Sequence, residues 1–140
     1  MIIYCAGAIK GDTSYQKNYK EIIAIVNSLG HTALSELNSN FKPAFPLTDK
    51  QIYKRDMKWL ESCQMVIAEV SGASLGVGFE LAYTLYQLKK PVLALYSSEV
   101  NKVSAMISGC NSEFLTVKQY HEVDEINKCV KNFIRKNAVE

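Results

Sequence analysis

Along this chain, short unbroken apolar runs alternate with stretches whose apolar residues return every three or four positions. That alternation predicts strands and helices in turn. Ile2-Ile3-Tyr4-Cys5-Ala6 reads as a first buried strand, and Tyr15, Tyr19, Ile22, Ile23, Val26 and Leu29 recur at helical spacing before Gly30 offers a stop. His31-Thr32-Ala33-Leu34 is a weak second strand, and residues 35–46 follow with two prolines, two phenylalanines and no period. Thr48-Asp49-Lys50-Gln51 matches a capping box, so a second helix is expected from there to about Ser62. Met65-Val66-Ile67-Ala68 is a third strand, and helical pattern resumes at Leu81-Ala82 and Leu85-Tyr86. Pro91 to Tyr96 gives a fourth strand, Val103 to Ile107 a short helix ended by Gly109, and Phe114 to Val117 a fifth strand. Val123, Ile126, Val130, Phe133 and Ile134 mark a final amphipathic helix. Strands that are apolar throughout and separated by helices imply a doubly wound, five-stranded parallel sheet of Rossmann or flavodoxin-like type, covered on both faces.

The stretch Glu69-Val70-Ser71-Gly72-Ala73-Ser74-Leu75-Gly76-Val77-Gly78-Phe79-Glu80 joins the third strand to its helix through small residues. With Ser74 as N-cap, the N–H groups of residues 75–77 lack intrahelical partners, and Gly76 lets an anion come close to the backbone. A phosphate fits such a mouth. Glu80 lies one turn on and leans back toward it, too late in the helix for capping, where Val77 holds the capping-box position. A solvated helix glutamate is the plain alternative. The loop after the first strand, Gly7-Ala8-Ile9-Lys10-Gly11-Asp12, is expected to face this mouth, because ligands of doubly wound sheets gather at the carboxyl ends of the strands. Lys10 there is either a phosphate partner or an ordinary solvated lysine.

In the second helix Ile52, Asp56, Trp59, Leu60 and Cys63 share a stripe, which turns Asp56 inward. Either backbone donors, Lys10 or Arg55 satisfy it, or it is a second carboxylate facing Glu80. Two carboxylates in one partly desolvated site titrate apart, leaving one able to give a proton while the other stays ionised. Phe41 and Phe45 in the unpatterned loop either stack on a ligand ring or anchor the loop.

Composition narrows the classes. The chain of 140 residues suits one domain spanning 1–140, and its formal charge of +2 without a basic stripe argues against a nucleic-acid polymer. No basic leader precedes the first strand and no apolar run approaches membrane-spanning length, so no membrane is expected and the cytoplasm is the expected compartment. Cys5, Cys63, Cys110 and Cys129 form no C-x-x-C pair, and His31 and His121 have no second ligand at metal spacing, so no metal site is expected.

Four motifs in order resemble the nucleoside 2-deoxyribosyltransferase superfamily, and within it the 2′-deoxynucleoside 5′-phosphate N-hydrolases. Ala68-Glu69-Val70 with Ser74 to Glu80 is similar to A-E-V…S-L-G-V-G-Y-E, and Tyr4 to Gly11 to Y-F-C-G-S-I-R-G. Asp56 to Leu60 is similar to D-L-E-W-L, and Ser104 to Gly109 to S-A-M-I-R-G. The resemblance implies hydrolysis of the N-glycosidic bond of a nucleoside 5′-monophosphate without metal or organic cofactor. It implies Glu80 as the nucleophile at C1′ and Asp56 as the carboxylate that orients it or assists departure of the base. Ser74 and Gly76 match the phosphate loop, and Tyr4 and Gly7 match positions near the sugar. Ser104 matches a serine that reaches the phosphate from a neighbouring subunit, which implies a homodimer. Ala8 stands where the branch has serine, Lys10 where it has arginine and Phe79 where it often has tyrosine, and the loop of residues 35–47 departs from the branch. A base-exchanging deoxyribosyltransferase, a ribonucleotide hydrolase and a catalytically silent nucleotide-binding module are the competing expectations.

Overall fold

The computed structural model describes residues 1–138. Five parallel strands, β1 (Ile2–Ala6), β2 (Thr32–Leu34), β3 (Met65–Glu69), β4 (Val92–Ser97) and β5 (Leu115–Tyr120), lie in the order β2-β1-β3-β4-β5. That is the flavodoxin-like order, with the chain reversing its direction of travel between β1 and β3.

Side chains alternate across each strand, so the two faces have separate cores. Ile3, Cys5, Met65, Ile67, Leu93 and Leu95 pack against α1 (Gln16–Ser28) and α5 (Val123–Lys136). Tyr4, Ala6, Val66, Ala68, Val92 and Ala94 pack against α2 (Asp49–Ser62) and α3 (Leu75–Ala82). Tyr4 thus faces the α2/α3 side, whereas Glu69, in phase with Met65 and Ile67, faces the α1/α5 side.

The predicted boundaries hold closely, and each end has its local cause. Gly30, at φ +83°, follows the last turn of α1. Thr48 Oγ1 accepts from Gln51 N–H while Gln51 Oε1 accepts from Thr48 N–H, the expected capping box of α2. No basic residue stands in the last turn of α2, but Lys90 Nζ reaches across to donate to the carbonyls of Leu60 and Glu61 at 2.9 and 2.7 Å.

Three elements differ from expectation. β5 runs on to Tyr120, because an edge strand exposes Lys118 and Gln119 and so outlasts its apolar run. The helix expected over 103–107 is a single turn, α4 (Ala105–Ser108), capped by Ser104. α3 passes into a π-helical turn over Tyr83–Leu88, where Thr84 Oγ1 donates to the Glu80 carbonyl at 2.7 Å. No helix among the described residues is long and apolar enough to cross a membrane.

Candidate active site

The loops after β1 and β3 lie against each other, as the doubly wound sheet leads one to expect. Asp12 N–H donates to the Ala73 carbonyl at 3.0 Å. A Cβ at Gly11 would collide with that carbonyl, and one at Gly72 with the carbonyl of Asp12, so bare backbone at both positions is a condition of the contact. Gly7 is bare for a different reason: a Cβ there would enter the ring of Tyr19, whose hydroxyl donates to the Cys5 carbonyl and pairs with Ser35 Oγ. Ala8 is buried beside it, while Lys10 is exposed and has no carboxylate partner among the described residues.

Ser74 caps α3 as expected, its Oγ accepting from Val77 N–H at 3.3 Å. This corrects the expected count of free donors, since Val77 N–H is taken and only those of Leu75 and Gly76 remain to face an anion. Around Gly76 the space is open, with Ser74 Oγ at 3.9 Å the nearest atom to a built Cβ. A groove of about 1000 Å³ between α3 and residues 102–111 is lined by Ser74, Lys102 and Ser104 among others. Lys102 carried no signal in the sequence, being a lone lysine in a polar connection.

Tyr4 and Glu80 meet directly: the phenol of β1 donates to Glu80 Oε2. Burial pushes Glu80 up to about 8. The Tyr4 O–H opposes that push, because a donor favours the ionised carboxylate. Asp56 makes no hydrogen bond to Glu80. It lies on the inward side of α2 and accepts from Arg55 Nε at 3.0 Å, while the Arg55 guanidinium stands over Trp59, whose ring centroid is 6.4 Å from that of Tyr4. Of the partners offered by the sequence, Arg55 is therefore the one realised. Burial raises Asp56 above the usual carboxylate range, and the Arg55 guanidinium pulls it back. Phe41 packs edge-on against Trp59 at 5.6 Å, an anchor of its loop, while Phe45 is exposed.

The sequence reading missed Glu69. It is 3% exposed, with Ser71 N–H donating to Oε1 at 2.5 Å and Ser71 Oγ and the Tyr120 hydroxyl donating to Oε2. Asn18 Nδ2 donates to Tyr120 Oη at 2.7 Å and Ser97 N–H to Ser71 Oγ at 2.7 Å. With donors at both ends, each hydroxyl is left to spend its proton on Glu69, so the network is complete when Glu69 is ionised. Burial raises Glu69, and these donors lower it. A glutamate closing an otherwise apolar strand was the available signal.

These features define a class: a flavodoxin-like α/β protein with a carboxylate site at the switch between β1 and β3, beside a helix mouth open to an anion. A model of the family described as nucleoside 2-deoxyribosyltransferase matches residues 3–133, and the chain belongs to that family. A protein of Thermofilum pendens, provisionally named 2′-deoxynucleoside 5′-phosphate N-hydrolase 1, is 36% identical over 128 residues, 89% of this chain and 89% of its own length. A 5-hydroxymethyl-dUMP N-hydrolase of Esox lucius is 31% identical over 142 residues, covering 96% and 97%. Among solved structures, a CMP N-glycosidase of Clostridium botulinum superposes with TM-score 0.68 at 14% identity, over 94% of this chain and 98% of that one. At that identity the likeness is one of fold.

Proposed function

We propose that the chain hydrolyses the N-glycosidic bond of 2′-deoxynucleoside 5′-monophosphates, releasing the free base and deoxyribose 5-phosphate. The observation that carries the reading is the Tyr4–Glu80 pair, a desolvated carboxylate with a fixed donor, set one turn from the open mouth at Leu75 and Gly76. The relatives named as N-hydrolases, similar over nearly their whole length, support the same chemistry.

In this mechanism Glu80 Oε attacks C1′ as the bond to the base nitrogen breaks, and the electron pair leaves with the base. Asp56, one oxygen held by Arg55, assists departure of the base by giving it a proton, which Asp56 regains from the water of the next step. Water then cleaves the glycosyl ester, returning Glu80 and freeing the sugar phosphate. Positive charge develops on the sugar in the transition state, so the ionised form of Glu80 is most stabilised where the barrier is highest. The phosphate sits on the Leu75 and Gly76 N–H groups with Ser74, and Lys10 adds a point charge in place of a bidentate fork. Tyr4 and Gly7 border the sugar, and Ala8 stands where a serine hydroxyl would have met the phosphate.

The working form is a homodimer, with Ser104 reaching the phosphate of the neighbouring subunit. What supports this is the outer face of α3. Leu75 is 96% exposed and Phe79 55% exposed, and Gly78 has nothing within 4 Å of a built Cβ. A helix apolar on all sides is a helix that another surface covers. An exposed mid-helix glycine, costing about 1 kcal/mol against alanine, suits close approach by a second backbone. Four free thiols, two of them buried, suit the cytoplasm.

The test is chromatographic detection of free base from deoxy- and ribonucleoside monophosphates and their nucleosides, each with and without a second base. Base release from deoxynucleoside monophosphates alone, abolished in Glu80→Gln, is the expected result. A new nucleoside formed only with the second base would make the protein a transferase. Binding without product in any arm would make it a silent nucleotide-binding module.

A further inference from the structure

Every buried side-chain nitrogen and oxygen among the described residues has a hydrogen-bond partner except two, and both belong to Arg55: Nη1 and Nη2. The rest of that guanidinium is firmly held. Its Nε donates to Asp56 Oδ1 at 3.0 Å, and its Cζ stands 4.6 Å from the centroid of the Trp59 ring, one helical turn on. Glu36 Oε2 approaches Nη2 to 3.6 Å, near enough for attraction between charges and too far for a hydrogen bond. Arginine cannot escape the cost of dry, unpaired N–H groups by losing its proton. A half-satisfied fork is stable in the long term where something else supplies the acceptors.

The position of the fork says what that something is. Trp59 bridges Arg55 to Tyr4, and Tyr4 holds Glu80. On the mechanism above Asp56 assists departure of the base, so the base lies toward Asp56 and toward the Arg55 that holds it. Residues 43–46, in the loop that also carries Glu36, are exposed, and no backbone hydrogen bond ties them.

We infer that Arg55 reads the base, giving its Nη1 and Nη2 protons to a ring carbonyl and so favouring oxo bases, 4-oxopyrimidine or 6-oxopurine, over their amino counterparts. The inference rests on the nucleotide-hydrolase reading above and adds the specificity of the same site. Its chemistry is one of exclusion. Guanidinium N–H groups only donate, and an exocyclic amino group facing them donates too, so an amino base leaves both sides unpaired. Sites built on a polar contact reject the analogue that cannot make it far better than apolar pockets reject a missing methylene.

The experiment compares kcat/KM for deoxyuridine against deoxycytidine monophosphate, and for deoxyguanosine against deoxyadenosine monophosphate, in wild type, Arg55→Gln and Arg55→Lys. The same ratios are measured as binding constants by calorimetry in a Glu80→Gln background. Wild type is expected to prefer the oxo member of at least one pair by about 10- to 100-fold. The pair in which this occurs tells pyrimidine from purine. Arg55→Gln should bring that ratio close to one, and Arg55→Lys, which keeps the charge without the fork, should recover only part of it. Equal losses on both members of each pair, or an unchanged ratio, would overturn the assignment and leave Arg55 as a support for Asp56. The binding arm separates the two readings. An oxo preference in binding that depends on Arg55 sustains the inference even if no base is released, whereas base release with a ratio indifferent to Arg55 sinks the inference alone.

Discussion

Replacing Tyr4 by Phe isolates the one contact that opposes the desolvation of Glu80. Burial by itself pushes this carboxyl up to about 8, a level at which only about a tenth is ionised at pH 7. The Tyr4 hydroxyl, donating to Oε2, stabilises the ionised form by about 1.5–3 kcal/mol if it behaves as other hydrogen bonds to charged groups do. At about 1.4 kcal/mol per unit this lowers the pKa by roughly 1–2 units. Wild type should therefore show the acidic limb of kcat/KM below 8, and Tyr4→Phe should move it up by that amount toward the value set by burial. At pH 7 the variant loses about 5- to 10-fold, and the loss shrinks as the pH passes 9. The assay is initial-rate base release from pH 5 to 10, read as kcat/KM so that the limb reports the free enzyme. The second ionisation of the substrate phosphate, near pH 6, adds a limb of its own, but it belongs to the substrate and does not move with the mutation. A limb at the same pH in both proteins, or a loss equal at every pH, would refute the reasoning and leave Tyr4 as a contact for the sugar.

Glu80→Gln should raise the melting temperature at pH 8.5 and leave it nearly unchanged at pH 4. The sign follows from linkage: a folded-state pKa above the ordinary 4.5 means that the folded chain holds a proton the unfolded chain releases. The ionised carboxylate therefore costs stability increasingly as pH rises from 4.5 up to the folded-state value, which the Tyr4 donor holds below 8. A gain of about 6–10 °C at the higher pH, measured by scanning calorimetry, is expected, and a gain equal at both pH values would show that the carboxylate is not penalised by burial. Leu75→Glu places a charge on the 96% exposed apolar tip of α3. If the dimer forms there, sedimentation should show monomer, and KM for the monophosphate should rise by 10-fold or more while the circular dichroism stays native. A dimer with unchanged KM would move the interface elsewhere.

The elements that periodicity announced are those whose causes are local. A capping box, a glycine after the last turn and an unbroken β-branched run all act within a few residues, and Thr48, Gly30 and Met65 to Ala68 sit where such signals put them. Asp56 was legible for the same reason, since its place on the stripe with Trp59 and Leu60 is fixed by helix geometry alone. The partners of the site residues were less legible. Tyr4 and Glu80 are 76 residues apart, and Glu69 and Tyr120 are 51 apart, so only the tertiary packing of strands and helices brings them together. β5 hid its last three residues because an edge strand with one neighbour need not be apolar on both faces. Arg55 was half visible, offered as a partner for Asp56, while the burial that leaves two of its nitrogens unpaired, with Glu36 only 3.6 Å from one of them, depends on tertiary packing.

Glu69 and Glu80 show how one sheet makes opposite uses of a buried carboxylate. Glu69, on the α1/α5 face, has three donors aimed at it, so its charge is already spoken for and what it offers is rigidity: through Ser71, Ser97, Tyr120 and Asn18 it ties the loop before α3 to β4, β5 and α1. Glu80, on the other face, has a single side-chain donor in Tyr4, and its other oxygen has no donor among the described residues. The first arrangement satisfies the charge and fixes the loop on which a phosphate would rest. The second leaves the charge under-solvated, and an under-solvated carboxylate gains most when positive charge develops beside it, as it does on a sugar carbon losing its base. On the proposed mechanism, the same burial that makes Glu80 costly to ionise in the free chain would make it an effective nucleophile, with the loop held by Glu69 keeping the sugar phosphate in place.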